Sequence, residues 1–386
     1  MKLVLKRLLL FIISSSILCT GFISANAIND SDAFTVEDSL IEAYNHILSS
    51  FERDSNNQYV YPDEYAGAYI EDLKLYICVT HLNDNIKNNY FSSAKTTNNI
   101  EFVVKPYSLN DLTILISQIE TSNIDNISTI CVIQKNNSIR IGTSNTDINS
   151  FEKQLLSSLP APSRNQIQAK TLPIEIVYSP QLNLELPDKQ DSTIVPTALP
   201  SLVGGIKLSL SDGSYFSLGL CGKYNGKPAI LTCGHMQTVG SSVYVNSQKI
   251  GTFVKVNWPT SGYYDYGIIE LTSAASQFST NKVKTASSTQ AITSTNYSSV
   301  EGMSIQRYGC RTGYGTGTVS ATNMSVTYGG HLIHGLVEVG TTTSINSGDS
   351  GGSVYSGNKF YGVIKGHNGS NLFYYSPSGV VSGFSV

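Results

Sequence analysis

Charged residues are scarce in this chain, 14% of 386 positions against a hydrophobic share of 40%. That balance excludes an intrinsically disordered polypeptide and leaves length for two or three compact units with cores of their own. Clusters of Lys or Arg are also missing from residues 201–386, the half with a basic excess. The basic residues there stand singly, with nothing to follow a phosphate backbone, so nucleic acid is excluded as a partner. An unbroken apolar run long enough to anchor the chain in a bilayer is absent too: the stretch from Leu8 to Ile13 gives way to Ser14, Ser15, Ser16, Thr20 and Gly21. With Lys2, Lys6 and Arg7 before it and Ala25-Asn26-Ala27 behind it, this stretch reads as an export signal over residues 1–27, cleaved after Ala27. Cys19 follows Leu18 where lipid attachment calls for a small residue. A secreted, extracellular protein without stable membrane insertion is expected.

The charge that is present divides unevenly. Residues 28–200 hold 11 Lys and Arg against 22 Asp and Glu, and residues 201–386 hold 11 against 6. Opposite signs predict attraction between the two halves. In residues 28–178 helical and strand patterns alternate, which predicts an α+β unit without an obvious site. Thr35 and Asp38 form a capping box before Leu40, Ile41, Tyr44, Ile47, Leu48 and Phe51, which share a helical face. Ser108 and Asp111 repeat the device before Leu112, Leu115, Ile116 and Ile119. Residues 73–80 and 129–134 are rich in β-formers, and 149–156 reads as a short helix. Pro180, Pro187, Pro196 and Pro200 mark residues 179–200 as an exposed linker open to proteases. From Ser201 the texture turns to short strands broken by Gly, Asn and Ser, an all-β pattern. One hairpin is explicit: residues 216–223 and 228–232 flank Asn225-Gly226, and its second strand leads to His235.

Amide hydrolysis needs a nucleophile, a base, a group to orient the base, and donors for the oxyanion. The all-β half offers all four. Ser350 lies in Ser347-Gly348-Asp349-Ser350-Gly351-Gly352, where glycine permits a sharp turn and brings the amides of Gly348 and Ser350 towards a carbonyl oxygen. His235 ends the apolar stretch Leu231-Thr232-Cys233-Gly234, where the scaffold fixes a general base. Asp265 opens the apolar Tyr266-Gly267-Ile268-Ile269, and a carboxylate buried there needs a partner. Separately, a core histidine, a turn aspartate and a Gly-rich loop are ordinary. Together they stand in the chain order His, Asp, Ser of chymotrypsin.

Residues 201–386 resemble the α-lytic protease and streptogrisin branch of the chymotrypsin-type serine proteases. The resemblance rests on Ser201 to Ile206, Thr232 to His235, Asp265-Tyr266-Gly267, Cys310-Arg311, Ser347 to Gly352 and Leu372-Phe373-Tyr374, with a looser fit at Gly315-Thr316-Gly317. It implies two six-stranded β-barrels with His235, Asp265 and Ser350 in the cleft between them, polypeptide substrates, and neither metal nor organic cofactor. It further implies an Arg311–Asp349 ion pair supporting the oxyanion loop. Upstream, Tyr65 to Ile70 followed by 73–80 resembles the pro-regions of these proteases, which assist folding and inhibit the product. A monomer is expected, with its own pro-region (28–178) as partner and cleavage within 179–200.

The pattern is departed from at three places. Met236 stands where the family has a cysteine after the histidine, so Cys221 and Cys233 either face each other across the Asn225-Gly226 hairpin or remain thiols, and Cys310 lacks its usual partner near Thr316. Lys365, in the substrate-binding stretch Lys365-Gly366-His367, replaces a typical serine. It either favours, with His367, an acidic side chain before the scissile bond or points to solvent. His331 and His334, three apart on a strand, point to opposite faces and hold no metal. The rival readings are a catalytically silent binding protein of the same fold and an extracellular adhesive β-protein.

Overall fold

The computed structural model describes residues 30–54, 58–122, 124–168, 173–180, 198–235, 237–295, 297–368 and 372–386. The export signal, most of the linker and Met236 lie outside these residues. Helix Asp30–Ser49 buries Leu40, Ile41, Tyr44, Ile47 and Leu48, the face its spacing assigns. Thr35 and Asp38 do not cap it, because the chain is already helical at Asp30. Asp38 instead reaches Lys359 of the downstream half at 2.6 Å. The second capping box forms as expected on helix Leu109–Thr121: Asp111 N donates to Ser108 Oγ at 3.1 Å, and Ser108 N donates to Asp111 Oδ2 at 3.0 Å. Strands Lys74–Val79 and Ile127–Ile133 and helix Ile148–Ser158 fall where β-formers and helical periodicity place them.

The downstream half is all-β apart from one helical turn at Ser273–Ser276 and a short 3-10 turn at Ser378–Val380 among the described residues. Strands Leu220–Tyr224 and Lys227–Thr232 form the expected hairpin, with Tyr224 opposite Lys227 and both turn residues left-handed, Asn225 at φ 49° and Gly226 at φ 82°. Phe216 and Ser217, expected in the same strand, belong to a separate one, Tyr215–Ser217, that pairs with Lys207–Ser209. Eight downstream strands make the first sheet. The second has ten, and here the two halves of the chain merge. Its long hairpin, Gly313–Tyr328 with His331–Thr341, is continued by the upstream strands Ile127–Ile133, Ser138–Thr143 and Ile174–Tyr178. The join sets Ser325 opposite Ile130 and Val326 opposite Thr129.

The apolar interior crosses the same boundary. Leu40, Ile41 and Ile47 of the first helix lie in one cluster with Ile305, Val339, Tyr361 and Phe373 of the second sheet. The linker thus separates two stretches of sequence that share one core. The first sheet keeps a core of its own around Phe216, Ile230, Ile250 and Phe253.

Candidate active site

Strand register brings the histidine and the aspartate together. Thr232 pairs with Gly267, so the end of Lys227–Thr232 lies beside the start of Tyr266–Leu271. His235 follows the first strand by three residues and Asp265 precedes the second by one. Asp265 is fully buried and meets three hydrogen-bond donors and one ammonium. Oδ1 accepts the backbone N–H groups of Gly234 at 2.7 Å and His235 at 2.8 Å. Oδ2 meets His235 Nδ1 at 2.6 Å and Lys365 Nζ at 3.0 Å. Its own amide donates to Ser376 Oγ at 2.9 Å. The preceding Tyr264 is left-handed at φ 63°, a costly conformation for an aromatic residue. It is held there by its amide bond to His334 O at 3.0 Å and by Asn257 Nδ2 donating to its carbonyl at 2.9 Å.

Ser350 comes from the second sheet, just before strand Ser353–Ser356. Its carbonyl accepts from Ser217 N of the first sheet at 2.8 Å, and the following Gly351 N donates to Ile364 O at 2.7 Å, so the turn is tied from both sides. Gly348 has φ +101°, and a Cβ there would lie 2.5 Å from the Tyr215 ring; glycine is required twice over. Among the described residues neither the Gly348 nor the Ser350 amide donates to a protein acceptor. Unpaired amides two residues apart beside a serine are rare in a folded interior and form a ready receptor for an oxyanion. The Ser350 hydroxyl donates to the Lys365 carbonyl at 3.4 Å rather than to His235.

The site is closed by rings and charge. His235 lies 5.8 Å from Trp258 and 6.0 Å from Tyr328, centroid to centroid. The Lys365 ammonium sits between the same two rings, 3.8 Å from Trp258 and 4.0 Å from Tyr328, with its side chain fully buried. Its approach to Asp265 is a charge contact off the hydrogen-bonding direction, so the two faces of the cage supply the rest of its surroundings. Burial pushes the Asp265 carboxyl up, but Lys365 and then His235 outweigh it and hold the group far below the usual carboxylate range. Burial pushes the His235 imidazole down, the Lys365 ammonium pushes it further, and Asp265 opposes both.

Two expectations are overturned. Lys365 points neither to solvent nor into a side-chain pocket; strand pairing of Ser353 with Val363 sets Lys359–His367 so that this side chain faces Asp265. Of its neighbours, Gly366 is covered by the Tyr328 ring and His367 is part-exposed at the strand end. The Arg311–Asp349 ion pair does not form. Asp349 is saturated by the amides of Arg311, Thr312 and Asn346 and by the Thr312 hydroxyl, so the Arg311 guanidinium turns outward to Tyr215 OH at 3.3 Å and Ser347 O at 3.4 Å. The buried arginine near this loop is Arg307, which donates to Thr312 Oγ1 at 2.8 Å. Cys221 stands opposite Ile230, not Cys233, and both are free thiols, as is Cys310. His331 bonds Pro259 O and His334 bonds Ser325 Oγ, each on its own. Sequence reasoning passed over Trp258, Tyr328 and Ser376; only the rarity of tryptophan, one in the chain, offered a signal.

No family model matches the chain. Serine protease 2 of Streptomyces fradiae is 30% identical over 174 residues, 44% of this chain and 96% of that protein. The chain belongs to the chymotrypsin-type bacterial serine proteases. Streptogrisin-A of Streptomyces griseus is 30% identical over 172 residues, 44% of this chain and 54% of its own length, and Streptogrisin-D of the same organism is 33% identical over 173 residues, 44% and 42%. This chain thus spans about half the length of those two relatives. Thermobifida fusca protease A aligns with 46% of this chain and 91% of its own at 26% identity, with a TM-score of 0.41. No helix among the described residues is long and apolar enough to cross a membrane.

Proposed function

We propose that the chain is a secreted serine endopeptidase, made as a pre-pro-protein, that cleaves polypeptides through an acyl-enzyme. The observation that carries this reading is the arrangement around one cleft: Asp265 fixed on His235 Nδ1 at 2.6 Å, and the Gly348 and Ser350 amides left without protein acceptors beside the Ser350 hydroxyl. In the reaction the Ser350 O–H proton passes to His235 Nε2 as Oγ attacks the peptide carbonyl. Asp265 holds the imidazole by Nδ1–H and stabilises the imidazolium, while the two amides receive the oxyanion. The imidazolium then gives its proton to the leaving amine. Water, deprotonated by His235, resolves the acyl-enzyme. The hydroxyl moves from the Lys365 carbonyl to the imidazole at the start of this sequence, a tightening ordinary in substrate complexes.

Residues 28–178 act as a folding assistant and inhibitor, removed by cleavage within 179–200. Support comes from the shared sheet and core, and from Lys359 held between Asp38 at 2.6 Å and Glu42 at 2.7 Å. The rival, a silent binding protein, draws on the turned Ser350 hydroxyl and the ammonium against Asp265. Intact-mass analysis of secreted protein with and without an active-serine fluorophosphonate separates the two. One adduct on the parent, none on Ser350→Ala, and a parent mass beginning near residue 200 are expected. A processed parent that takes no label would establish the rival; a full-length one that takes none would point to the rival or to an unprocessed zymogen.

A further inference from the structure

A lysine ammonium in van der Waals enclosure is stable only with a counter-charge, and here the counter-charge is the carboxylate that also holds the histidine. Asp265 Oδ2 meets Lys365 Nζ at 3.0 Å and His235 Nδ1 at 2.6 Å, so one oxygen serves two partners. All three side chains are at most 7% exposed. Among the described residues the groups around His235 are few: the Asp265 carboxylate, the Lys365 ammonium, and the uncharged rings of Trp258 and Tyr328. The Cys233 thiol lies behind Asp265 and Lys365, burial pushes its titration up, and it stays neutral. His331 stacks on Trp258 with centroids 4.2 Å apart. Before the imidazole is protonated, the carboxylate and ammonium cancel. Protonating it places a second cation on the same oxygen in a dry site.

We propose that Lys365 is a positioning residue of the catalytic machinery, resting on the serine-protease reading above: its ammonium shares the Asp265 carboxylate with His235, so the imidazole stays neutral and able to take the Ser350 proton at lower pH than it does beside an uncharged side chain. The sign is fixed by charge. Removing the ammonium leaves the carboxylate wholly to the imidazolium, which raises the pH at which His235 loses its proton. The direction of the His235 shift agrees with this, since Lys365 pushes it down.

The test uses the full chain carrying Ser350→Ala, which prevents self-cleavage, and follows the His235 ring by NMR across pH, with the signal assigned from His235→Gln. Lys365→Met keeps length and apolar bulk, and Lys365→Ser serves if Met distorts the cage. The midpoint is expected to rise by about one to three pH units in either variant. An unchanged or lowered midpoint in folded protein overturns the proposal. With Ser350 restored, fluorophosphonate labelling relative to each chain's own plateau is expected to fall about tenfold or more in Lys365→Met at pH 5. Labelling profiles that coincide overturn the proposal while leaving the serine-protease reading intact. A processed parent, its mass beginning near residue 200, that takes no label at any pH overturns that reading, and the catalytic role of Lys365 with it.

Discussion

Asp265 carries two backbone amides, an imidazole and an ammonium on two oxygens. Its replacement by asparagine therefore does two separate things. It removes the orienting acceptor for His235 Nδ1–H, for which turnover is expected to fall about 10⁴-fold. It also strands the Lys365 ammonium, for which unfolding free energy is expected to drop by about 3–5 kcal/mol. Asp265→Asn with Lys365→Met should recover most of the stability, read as thermal midpoint, and none of the turnover. Recovery of neither would mean that packing, not charge, dominates the cage. At this scale the His235–Asp265 contact and the turn that carries Ser350 were legible because these residues sit in short stretches of unusual composition: glycine around Ser350, apolar strand before His235 and after Asp265. Lys365 was visible only as an oddity. Its direction depends on a strand register between 353–356 and 359–367 that no local pattern encodes, and on two rings, Trp258 and Tyr328, that are distant in sequence. Arg311 misled for a related reason: the acceptors on Asp349 were taken by neighbouring amides, and backbone donors leave no trace in residue types.

Among the elements, the hairpin Gly313–Tyr328 with His331–Thr341 does the joining. Its outer strand presents an edge, and an unpaired edge accepts another strand through main-chain bonds. Upstream strand Ile127–Ile133 takes that place at Ser325 and Val326. Ile130→Pro removes one ladder amide and forces a local kink. The expected outcome is a smaller yield of secreted, processed enzyme at unchanged turnover per active site, measured by fluorophosphonate titration; an unaltered yield would show that the apolar core alone holds the halves together. The strand itself was readable from its β-formers, and so were helices with clear periodicity or a capping box. The partnership was not, since pairing between positions nearly two hundred residues apart is set by which edges remain open once the local sheets have formed. The same limit hid the split of residues 216–223 between two strands of different pairing.

For the whole molecule, the boundary between the halves carries its own titratable group. Glu301, buried in the downstream half, accepts the amides of Gln134 at 2.8 Å and Lys135 at 3.4 Å. Burial raises its titration to about 7, against those amides, which lower it. Separation of the halves returns it to water and to the ordinary range near 4.5. The joined state therefore holds the proton more tightly: association strengthens as pH falls from about 7 towards 4.5 and is flat above 7. A cleaved upstream segment is expected to dissociate more slowly at pH 5.5 than at pH 8, by up to about tenfold per pH unit inside that window, and Glu301→Gln should flatten the dependence. Dissociation rates from the cleaved complex, measured across pH, check this. One more property of the whole follows from a single ring. Trp258 is the chain's only tryptophan, and it touches Lys365, faces His235 and stacks on His331. Every photon the indole emits comes from the wall of the cleft, so the molecule carries its own optical probe of proton and acyl-group movements there, with no second indole to dilute the signal.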